Sequence, residues 1–318
     1  MKIIVTGGSG FIGTNLIEDL IEKEYIVRNY DINSPKLEAR KDIWEKVDIR
    51  DIDVLQEKVS EFEPDYIVHL AARTDLDGKS IEDYDSNTLG TTNIVKVAEK
   101  CKSIKKVIFT SSMLVCQVGY HPKSQQDYSP STLYGESKML GEKYIWENAP
   151  ACDWAIIRPT SIWGPWFGVP YRNFFDMVVG RRYFHIGHKS CTKTYGYVGN
   201  AVHEIEAIML ADTSDNSNKV FYIGDYEPTN IEKWANEIAD ELGYKIVRVP
   251  YWMIKCVAFC GDILKKMGIH FPMTSFRLKN MTTNYVVDMS NTEQIVGKLP
   301  LNRVDGVRNT LCWLKDKG

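Results

Sequence analysis

Tyr134 and Lys138 are the residues whose types and spacing suit proton transfer. They lie four positions apart where a helix is predicted to begin, so both side chains fall on one face. A tyrosine is a poor acid or base at its usual pKa, but a nearby positive charge favours the phenolate. Tyr134 could then take a proton from a sugar or alcohol hydroxyl while a hydride leaves the carbon that carries this hydroxyl. Ser112, beyond the end of a predicted strand, could hydrogen-bond that oxygen.

Tyr-x-x-x-Lys alone is common and usually marks a surface tyrosine beside a solvated lysine. The catalytic interpretation therefore needs a second motif, which the first thirteen residues supply. Residues 2–5 predict a buried strand, the glycine-rich stretch after them a tight turn, and residues 11–23 an amphipathic helix. Gly8 and Gly10 would let the backbone approach a pyrophosphate, and Gly13 would let the helix lie against the strand. This pattern predicts a dinucleotide site. The alternative is a turn whose glycines serve packing alone.

Asp31 follows a second predicted strand, residues 25–30, at the distance where an acidic residue holds the adenosine ribose. Its carboxylate can accept both ribose hydroxyls of NAD and would repel the 2′-phosphate of NADP. Arg28 is the one nearby cation, and alternation along the strand leaves its direction open. We therefore predict NAD as the cofactor.

Strands and helices alternate through the first 165 residues. A third strand is predicted to end at Val47, and further strands cover residues 65–72, 105–111 and 153–157, with helices over 51–61, 87–100 and 131–147. This alternation predicts the α/β class, with a parallel, doubly wound sheet of the Rossmann type. His69 lies within a strand, so it is predicted to be a structural histidine rather than a base.

The pattern changes after residue 165. We predict a dinucleotide-binding domain over residues 1–165 and a smaller α/β substrate-binding lobe over 166–318, with residues 195–224 rejoining the first domain. Residues 164–193 are aromatic, glycine-rich and basic with no clear period, and residues 229–242 predict a helix. The apolar stretch 251–260 is too short to span a bilayer and is predicted to be a buried or partner-facing helix.

Composition narrows the function classes. The 318 residues carry a net charge of −3 and a pI of about 6.1, which gives no general attraction to nucleic acid or an anionic membrane. Seven scattered cysteines with no Cys-x-x-Cys pair indicate reduced thiols. The N-terminal strand and turn do not resemble a signal peptide. We expect a cytoplasmic homodimer with no metal, nucleic-acid partner or membrane partner.

Taken together, these motifs resemble the extended short-chain dehydrogenases/reductases, in the branch of sugar-nucleotide epimerases, dehydratases and ketoreductases. The resemblance is carried in order along the chain by Thr6-Gly7-Gly8-Ser9-Gly10-Phe11-Ile12-Gly13, Asp31, Asp48-Ile49, His69-Leu70-Ala71-Ala72, Asn87, Gly90-Thr91, Ser111-Ser112, Tyr134, Lys138 and Arg158-Pro159.

The resemblance implies that Ser112, Tyr134 and Lys138 are the catalytic trio, with Lys138 also holding the nicotinamide ribose. The NAD contacts that it implies are Gly7, Gly10, Phe11, Ile12, Gly13, Asp31, Asp48, Ile49, Leu70, Ala71, Ala72, Asn87, Tyr134, Lys138 and Pro159.

The substrate side matches the family more loosely. Lys193, six residues after Gly187, stands where the family often has an arginine that meets the nucleotide diphosphate, and a lysine gives up the two-pronged grip. We predict Lys193 and Arg277 as diphosphate contacts and Ser112 and Met113 as substrate contacts; a solvated surface position is the alternative for Lys193 and Arg277. Aromatic residues that could stack on the base or line the sugar pocket, or simply pack in the core, are Trp163, Trp166, Phe167 and Tyr171.

Met113 and Leu114 bear on the reaction. Sugar-nucleotide 4,6-dehydratases have an acid and a base at these two positions, and neither side chain here can serve as one. We therefore predict an NAD-dependent epimerase that acts at C4 of a nucleoside diphosphate sugar, with Tyr134 as acid and base. The alternatives are an NAD(P)H-dependent ketoreductase or dehydrogenase, a hydroxysteroid-type dehydrogenase, a 4,6-dehydratase and a non-catalytic NAD- or RNA-binding relative.

Overall fold

A seven-stranded parallel sheet organises the computed structural model, which describes residues 1–169, 171–187, 191–214, 218–269, 271 and 273–317. In chain order the strands are β1 (Lys2–Thr6), β2 (Ile26–Asp31), β3 (Trp44–Lys46), β4 (Tyr66–His69), β5 (Lys106–Thr110), β6 (Asp153–Pro159), β7 (Ser161–Trp163), β8 (His185–Ile186), β9 (Thr192–Lys193), β10 (Tyr195–Tyr197), β11 (Val220–Ile223), β12 (Thr229–Asn230) and β13 (Arg248–Val249). The sheet has the order β11-β6-β5-β4-β1-β2-β3, which confirms the predicted fold class.

Helices cover both faces of this sheet. They are α1 (Phe11–Glu22), α2 (Ile52–Phe62), α3 (Asp85–Lys100), α4 (Leu133–Glu147), α5 (Tyr171–Val179), α6 (Val198–Leu210), α7 (Ile231–Glu241), α8 (Tyr251–Lys266), α9 (Ser275–Thr282), α10 (Ser290–Val296) and α11 (Arg303–Lys317). Along β1, Ile3 and Val5 face a core with α1 and α6, while Ile4 faces a core with α2, α3 and α4. Successive strand residues thus feed two cores, as a doubly wound sheet requires.

Side-chain caps set where two of these helices begin. The Asp51 carboxylate accepts from the backbone N–H of Val54 at 3.2 Å and starts α2, as predicted. The Thr132 hydroxyl accepts from the N–H of Gly135 at 3.0 Å and starts α4. Tyr134 is consequently the second residue of α4.

The rest of the chain contains three pairs of short strands: β7 with β10, β9 with β12, and β8 with β13. Aromatic packing replaces a sheet there. Trp163 and Trp234 lie 5.0 Å apart between ring centroids, and Phe174 stacks on Trp234 at 4.6 Å. After residue 166 the chain also returns to the first half, since α6 packs on α1 and β11 pairs with β6.

Helix α8 runs two turns beyond the predicted apolar stretch. Ile254, Ala258 and Gly261 are buried, but most of its other side chains are exposed, so α8 is buried on one side only and a partner-facing role for the outer side stays a prediction. In the described residues no helix is long and apolar enough to cross a membrane. All seven cysteines are free thiols, as predicted.

Candidate active site

A cavity of about 1060 Å³ opens at the carboxyl ends of the parallel strands, where an open α/β sheet binds its ligands. Its walls come from the turn after β1, the ends of β2, β4, β5 and β6, the start of α4, and residues 166–169 with Tyr171.

The glycine turn forms one end of the cavity. Gly7 has φ +72°, and a Cβ there would lie 2.5 Å from the backbone N of Ala71. A Cβ on Gly13 would lie 2.4 Å from the carbonyl oxygen of Gly7, so this glycine lets α1 approach the turn, as predicted. Gly10 meets only the Gly7 oxygen at 3.1 Å, and no side chain caps α1 there. The first N–H groups of the helix are thus available to an anion.

Gly8 has a different role from the predicted one. It does not line the cavity, and a Cβ there would lie 2.4 Å from Oδ1 of Asn29 and 2.5 Å from Ile17. Its missing side chain therefore serves packing between the turn and β2.

Asp31 lies at the end of β2 and is 8% exposed. Its carboxylate accepts from the backbone N–H groups of Ser9 at 3.0 Å and Asn33 at 2.8 Å, while burial raises its pKa. Arg28 is directed elsewhere, because its Nε lies 3.6 Å from Glu45 and its guanidinium lies over Phe62. Asp31 is thus a fixed acceptor at the cavity wall with no help from Arg28 for a 2′-phosphate.

Tyr134, Ser112 and Lys138 all line the cavity. Burial raises the pKa of Tyr134 to about 12, and the hydrogen bond with the Ser112 side chain opposes that rise. Burial lowers the pKa of Lys138 to about 8, and its Nζ donates to the carbonyl oxygen of Thr110 at 2.9 Å. Thr110 and Ser111 add two buried hydroxyls without a partner in the described residues. The site therefore has polar groups ready for a ligand.

The 3₁₀ turn Met113–Val115 follows Ser112 and forms the adjoining wall. Ser112 Oγ accepts from the N–H of Leu114 at 3.1 Å, which fixes the serine side chain. Met113 and Leu114 both line the cavity, so the wall beside the trio is apolar at these two positions.

Most of the predicted NAD contacts line the cavity, but Asn87 does not. Asp48, Ile49, Leu70, Ala71, Ala72, Pro159, Phe11 and Ile12 all belong to its wall.

The Asn87 side chain instead donates to Ser137 Oγ at 2.9 Å and to the carbonyl oxygen of Arg73 at 2.9 Å, and it accepts from the N–H of Arg73 at 2.8 Å. It is 1% exposed. Asn87 thus ties the loop after β4 to α4, one residue from Lys138, and this placement corrects its assignment as a direct contact.

Lys193 and Arg277 are not among the residues that line this cavity, and their role as diphosphate contacts stays a prediction. Lys193 belongs to β9, where its backbone pairs with Thr229 of β12 and with Tyr285. Arg277 is exposed on α9. Family spacing gave the position of Lys193 in the sequence, whereas the pairing of β9 with β12 and Tyr285 decides where it lies.

The four aromatic residues predicted either to line the pocket or to pack in the core fall into two groups. Trp163 is fully buried among Phe175, Tyr197 and Trp234, so it is a core residue. Trp166, Phe167 and Tyr171 line the cavity.

His69 is structural, as predicted. Its Nδ1 lies 2.8 Å from Thr6 Oγ1 and its Nε2 lies 3.4 Å from Thr91 Oγ1. Burial lowers its pKa to about 3, so the ring is neutral at physiological pH.

Lys36 is a cavity residue that sequence reasoning missed. Its Nζ donates to the carbonyl oxygen of Trp166 at 3.1 Å, and Asn15 Nδ2 donates to that of Pro165 at 3.0 Å. Both bonds join the nucleotide half to the segment after β7, and the bond from Lys36 to Trp166 lies at the cavity wall. Thr160 was missed too, although its position just after β6 is a signal, since carboxyl ends of parallel strands form such sites.

Comparison with known proteins agrees with this geometry. Residues 3–224 match the model of the NAD dependent epimerase/dehydratase family. The N-acetyl-alpha-D-glucosaminyl-diphospho-ditrans,octacis-undecaprenol 4-epimerase of Escherichia coli O157:H7 is 28% identical over 322 residues, covering 98% of this chain and 95% of that protein. A 3-beta-hydroxysteroid dehydrogenase of Mycolicibacterium neoaurum is 28% identical over 94% of this chain and 87% of that protein.

The fold is likewise shared with solved structures. The UDP-glucose 4-epimerase of Thermotoga maritima, crystallised with UDP-glucose, has a TM-score of 0.73 at 21% identity, covering 100% of this chain and 99% of that chain. The start of α1 at Gly10 without a side-chain cap, the buried Asp31 acceptor, and the Thr110 and Ser111 hydroxyls that lack a partner among the described residues fit NAD, which is the cofactor of the family. The resemblance seen in the motifs is therefore confirmed: this chain is an enzyme of the NAD dependent epimerase/dehydratase family, of the extended short-chain dehydrogenase/reductase type.

Proposed function

We propose that this protein epimerises C4 of a sugar carried on a diphosphate, with a nucleoside diphosphate sugar as the substrate class. One observation carries the proposal. Tyr134 lies beside Ser112 at the cavity wall, in the same helix as Lys138, and on the side where NAD fits. In the proposed division, residues 1–165 hold the cofactor and most of the later residues hold the sugar nucleotide.

Tyr134 is the proposed acid and base. Bound NAD would supply the acceptor, and then the donor, of the hydride at C4. Tyr134 removes the proton of the C4 hydroxyl and gives it back, while Ser112 hydrogen-bonds the same oxygen. The Lys138 ammonium, at about pKa 8, is largely charged near neutral pH and stabilises the phenolate. The pKa of about 12 already includes the Ser112 hydrogen bond, so in this proposal the positive charges of Lys138 and of the bound nicotinamide would lower it toward the working range.

Two features favour epimerisation over the related reactions. Met113 and Leu114 line the cavity where elimination of water would need an acid and a base. An epimerase consumes no cofactor, and the bond from Lys36 to Trp166, two residues of the cavity wall, suits a cofactor that stays bound. A ketoreductase must exchange its cofactor in every cycle.

The group that carries the sugar diphosphate distinguishes the candidate substrates. Among the relatives, the Escherichia coli enzyme is named for a sugar diphosphate on undecaprenol, and the Thermotoga structure contains UDP-glucose. Both carriers present a sugar through a diphosphate, so both belong in the substrate panel. The hydroxysteroid relative makes a steroid alcohol the rival substrate.

The test is epimerisation of UDP-, GDP-, CDP- and dTDP-sugars and of a polyprenyl diphosphate sugar by purified enzyme without added reductant. We expect interconversion of two C4 epimers. Tyr134→Phe should reduce turnover by about 10²- to 10⁴-fold and leave NAD binding nearly unchanged, because only the acid–base group is lost.

Full turnover by Tyr134→Phe would overturn the catalytic assignment. Stoichiometric consumption of NADH by a 4-keto sugar nucleotide, without epimerisation, would replace the epimerase by a ketoreductase. Oxidation of a hydroxysteroid but of no sugar in the panel would replace the substrate class. The homodimer and the cytoplasmic location stay predictions.

A further inference from the structure

The outer face of α8 is a concentration of exposed apolar side chains. Among the described residues, eight of the large hydrophobic side chains that are exposed fall between positions 247 and 269; they are Val247, Trp252, Met253, Val257, Phe259, Ile263, Met267 and Ile269. Trp252, Phe259 and Met267 are 67%, 64% and 68% exposed. Single exposed apolar residues are ordinary, but a contiguous group of this kind marks an interaction surface.

Four of these side chains form one stripe together with the exposed Cys256. Trp252, Cys256, Phe259, Ile263 and Met267 follow the spacing of four, three, four and four residues that keeps them on one face of a helix.

The opposite stripe is already used. Ile254, Ala258 and Gly261 are buried, and the first two pack with Leu278 of α9. The outer stripe is therefore apolar surface that the rest of the described chain leaves exposed.

The charges around the stripe are basic. Between residues 245 and 282 the sequence has seven Lys or Arg and one acidic residue, a local charge of +6 within a chain of −3, so the remainder carries −9 (−3 − 6). Lys255, Lys265 and Lys266 are exposed on α8. The acidic residue, Asp262, accepts from the backbone N–H of Ser275 at 3.0 Å. This part of the molecule is thus a local exception to the acidic whole.

We propose that α8 docks the protein on an anionic lipid bilayer, lying in the plane of the interface with Trp252, Phe259 and Met267 among the acyl chains. Apolar side chains beside lysines are the pattern of helices that lie on membranes, where lysine stems reach along the apolar surface to the headgroups. A helix of 16 residues is about 24 Å long, short of the roughly 30 Å core, so it lies on the bilayer rather than crossing it.

The charges favour a bilayer over a second copy of the chain. In a two-fold contact through this face, three lysines of each copy would approach those of the other, and the one acidic residue of α8, Asp262, already accepts from Ser275. Anionic headgroups neutralise them instead. The inference revises the expectation from net charge that no membrane is involved, and it does not depend on the proposed reaction, since no α8 residue lines the cavity.

The test is sedimentation with phosphatidylcholine vesicles prepared with and without phosphatidylglycerol, at low and high salt. We expect the protein to bind the anionic vesicles and to be released by salt. The double variant Trp252→Gln/Phe259→Gln should lose at least about tenfold in vesicle affinity, since two large apolar side chains no longer leave water.

The matched control is Ile26→Gln/Leu210→Gln, which changes two exposed apolar residues away from α8 and should bind vesicles like the unchanged protein. Lys255→Ser/Lys265→Ser/Lys266→Ser should lose about tenfold or more on anionic vesicles. All variants should keep NAD affinity and thermal stability, which shows that they fold.

Three results would overturn the proposal. One is the absence of vesicle binding by the unchanged protein. Another is equal binding by the Trp252→Gln/Phe259→Gln variant. The third is a dimer in sedimentation velocity that this variant abolishes while vesicles bind neither form, which would assign the face to a second copy of the chain.

Discussion

The two halves of the molecule build surfaces by different means. In the first half, Asp31, Ala71 and Ser112 reach the cavity because they follow parallel strands whose carboxyl ends meet at one edge. In the second half the strands that pair outside the seven-stranded sheet are two or three residues long, and stacked rings such as Phe174 on Trp234 hold the chain. Backbone geometry alone places side chains in the first case, whereas contacts between distant side chains do so in the second.

The two halves also differ in how deeply their ion pairs are buried. Arg158 of β6 and Glu142 of the catalytic helix α4 are each 1% exposed and form a two-pronged pair, with Nη2 to Oε2 at 2.6 Å. In the second half Arg303 pairs with Glu237, and the two side chains are 13% and 15% exposed. The buried pair has no water to replace a lost partner.

Arg158→Met is the most damaging change we predict. It leaves the Glu142 carboxylate buried and unpaired and should cost about 4 kcal/mol in the free energy of unfolding, measured by urea denaturation. Arg303→Met, the matched change in the second half, should cost about 1 kcal/mol. The double variant Arg158→Met/Glu142→Leu should recover most of the loss. Equal losses for the two arginines would remove the contrast between the halves.

His69 should make the first half sensitive to acid. Its pKa is about 3 in the folded protein against 6.5 in the reference state, so between these values the unfolded chain binds a proton that the folded chain does not. The free energy of unfolding therefore falls as pH drops below 6.5, by about 3 kcal/mol at a pH near 4. In urea denaturation at pH 6.5 and at a pH near 4, the free energy of unfolding of His69→Gln should fall less between the two pH values than that of the unchanged protein. A parallel slope in the variant would show that other groups cause the acid lability.

Two glycines offer a milder comparison of the halves. A Cβ on Gly261 would lie 1.9 Å from the carbonyl oxygen of Met273, so Gly261→Ala should loosen α8 from the following segment by about 2 kcal/mol. Hydrogen exchange should rise between residues 247 and 282, with NAD affinity unchanged. Gly13→Ala, which crowds the Gly7 carbonyl, should instead weaken NAD binding. Loss of NAD affinity in Gly261→Ala would contradict this expectation, because it would show that α8 and the NAD site are coupled.

The sequence predicted most of the first half for the same physical reason. Alternating strands and helices determine a parallel sheet, and motif residues such as Asp31 and Tyr134 then fall at its carboxyl edge. Asn87 was misjudged because its motif gives its position but not the direction of its amide, which turns to Ser137.

Lys193 and Lys36 show the limit of sequence reasoning. Lys193 lies outside the cavity because β9 pairs with β12 and Tyr285, and these pairings join residues far apart in sequence. Lys36 lies at the cavity because Trp166, 130 residues away, supplies its acceptor. Neither contact has a local pattern that predicts it.

The place of β11 has a consequence for how the chain folds during synthesis. This strand completes the sheet by pairing with β6, yet 60 residues or more separate the two along the chain. A nascent chain that ends near residue 165 leaves the β6 edge unpaired, and an exposed strand edge is a template for aggregation. The sheet can close only after residue 223 has emerged from the ribosome, so the more irregular half must begin to fold before the regular half is finished.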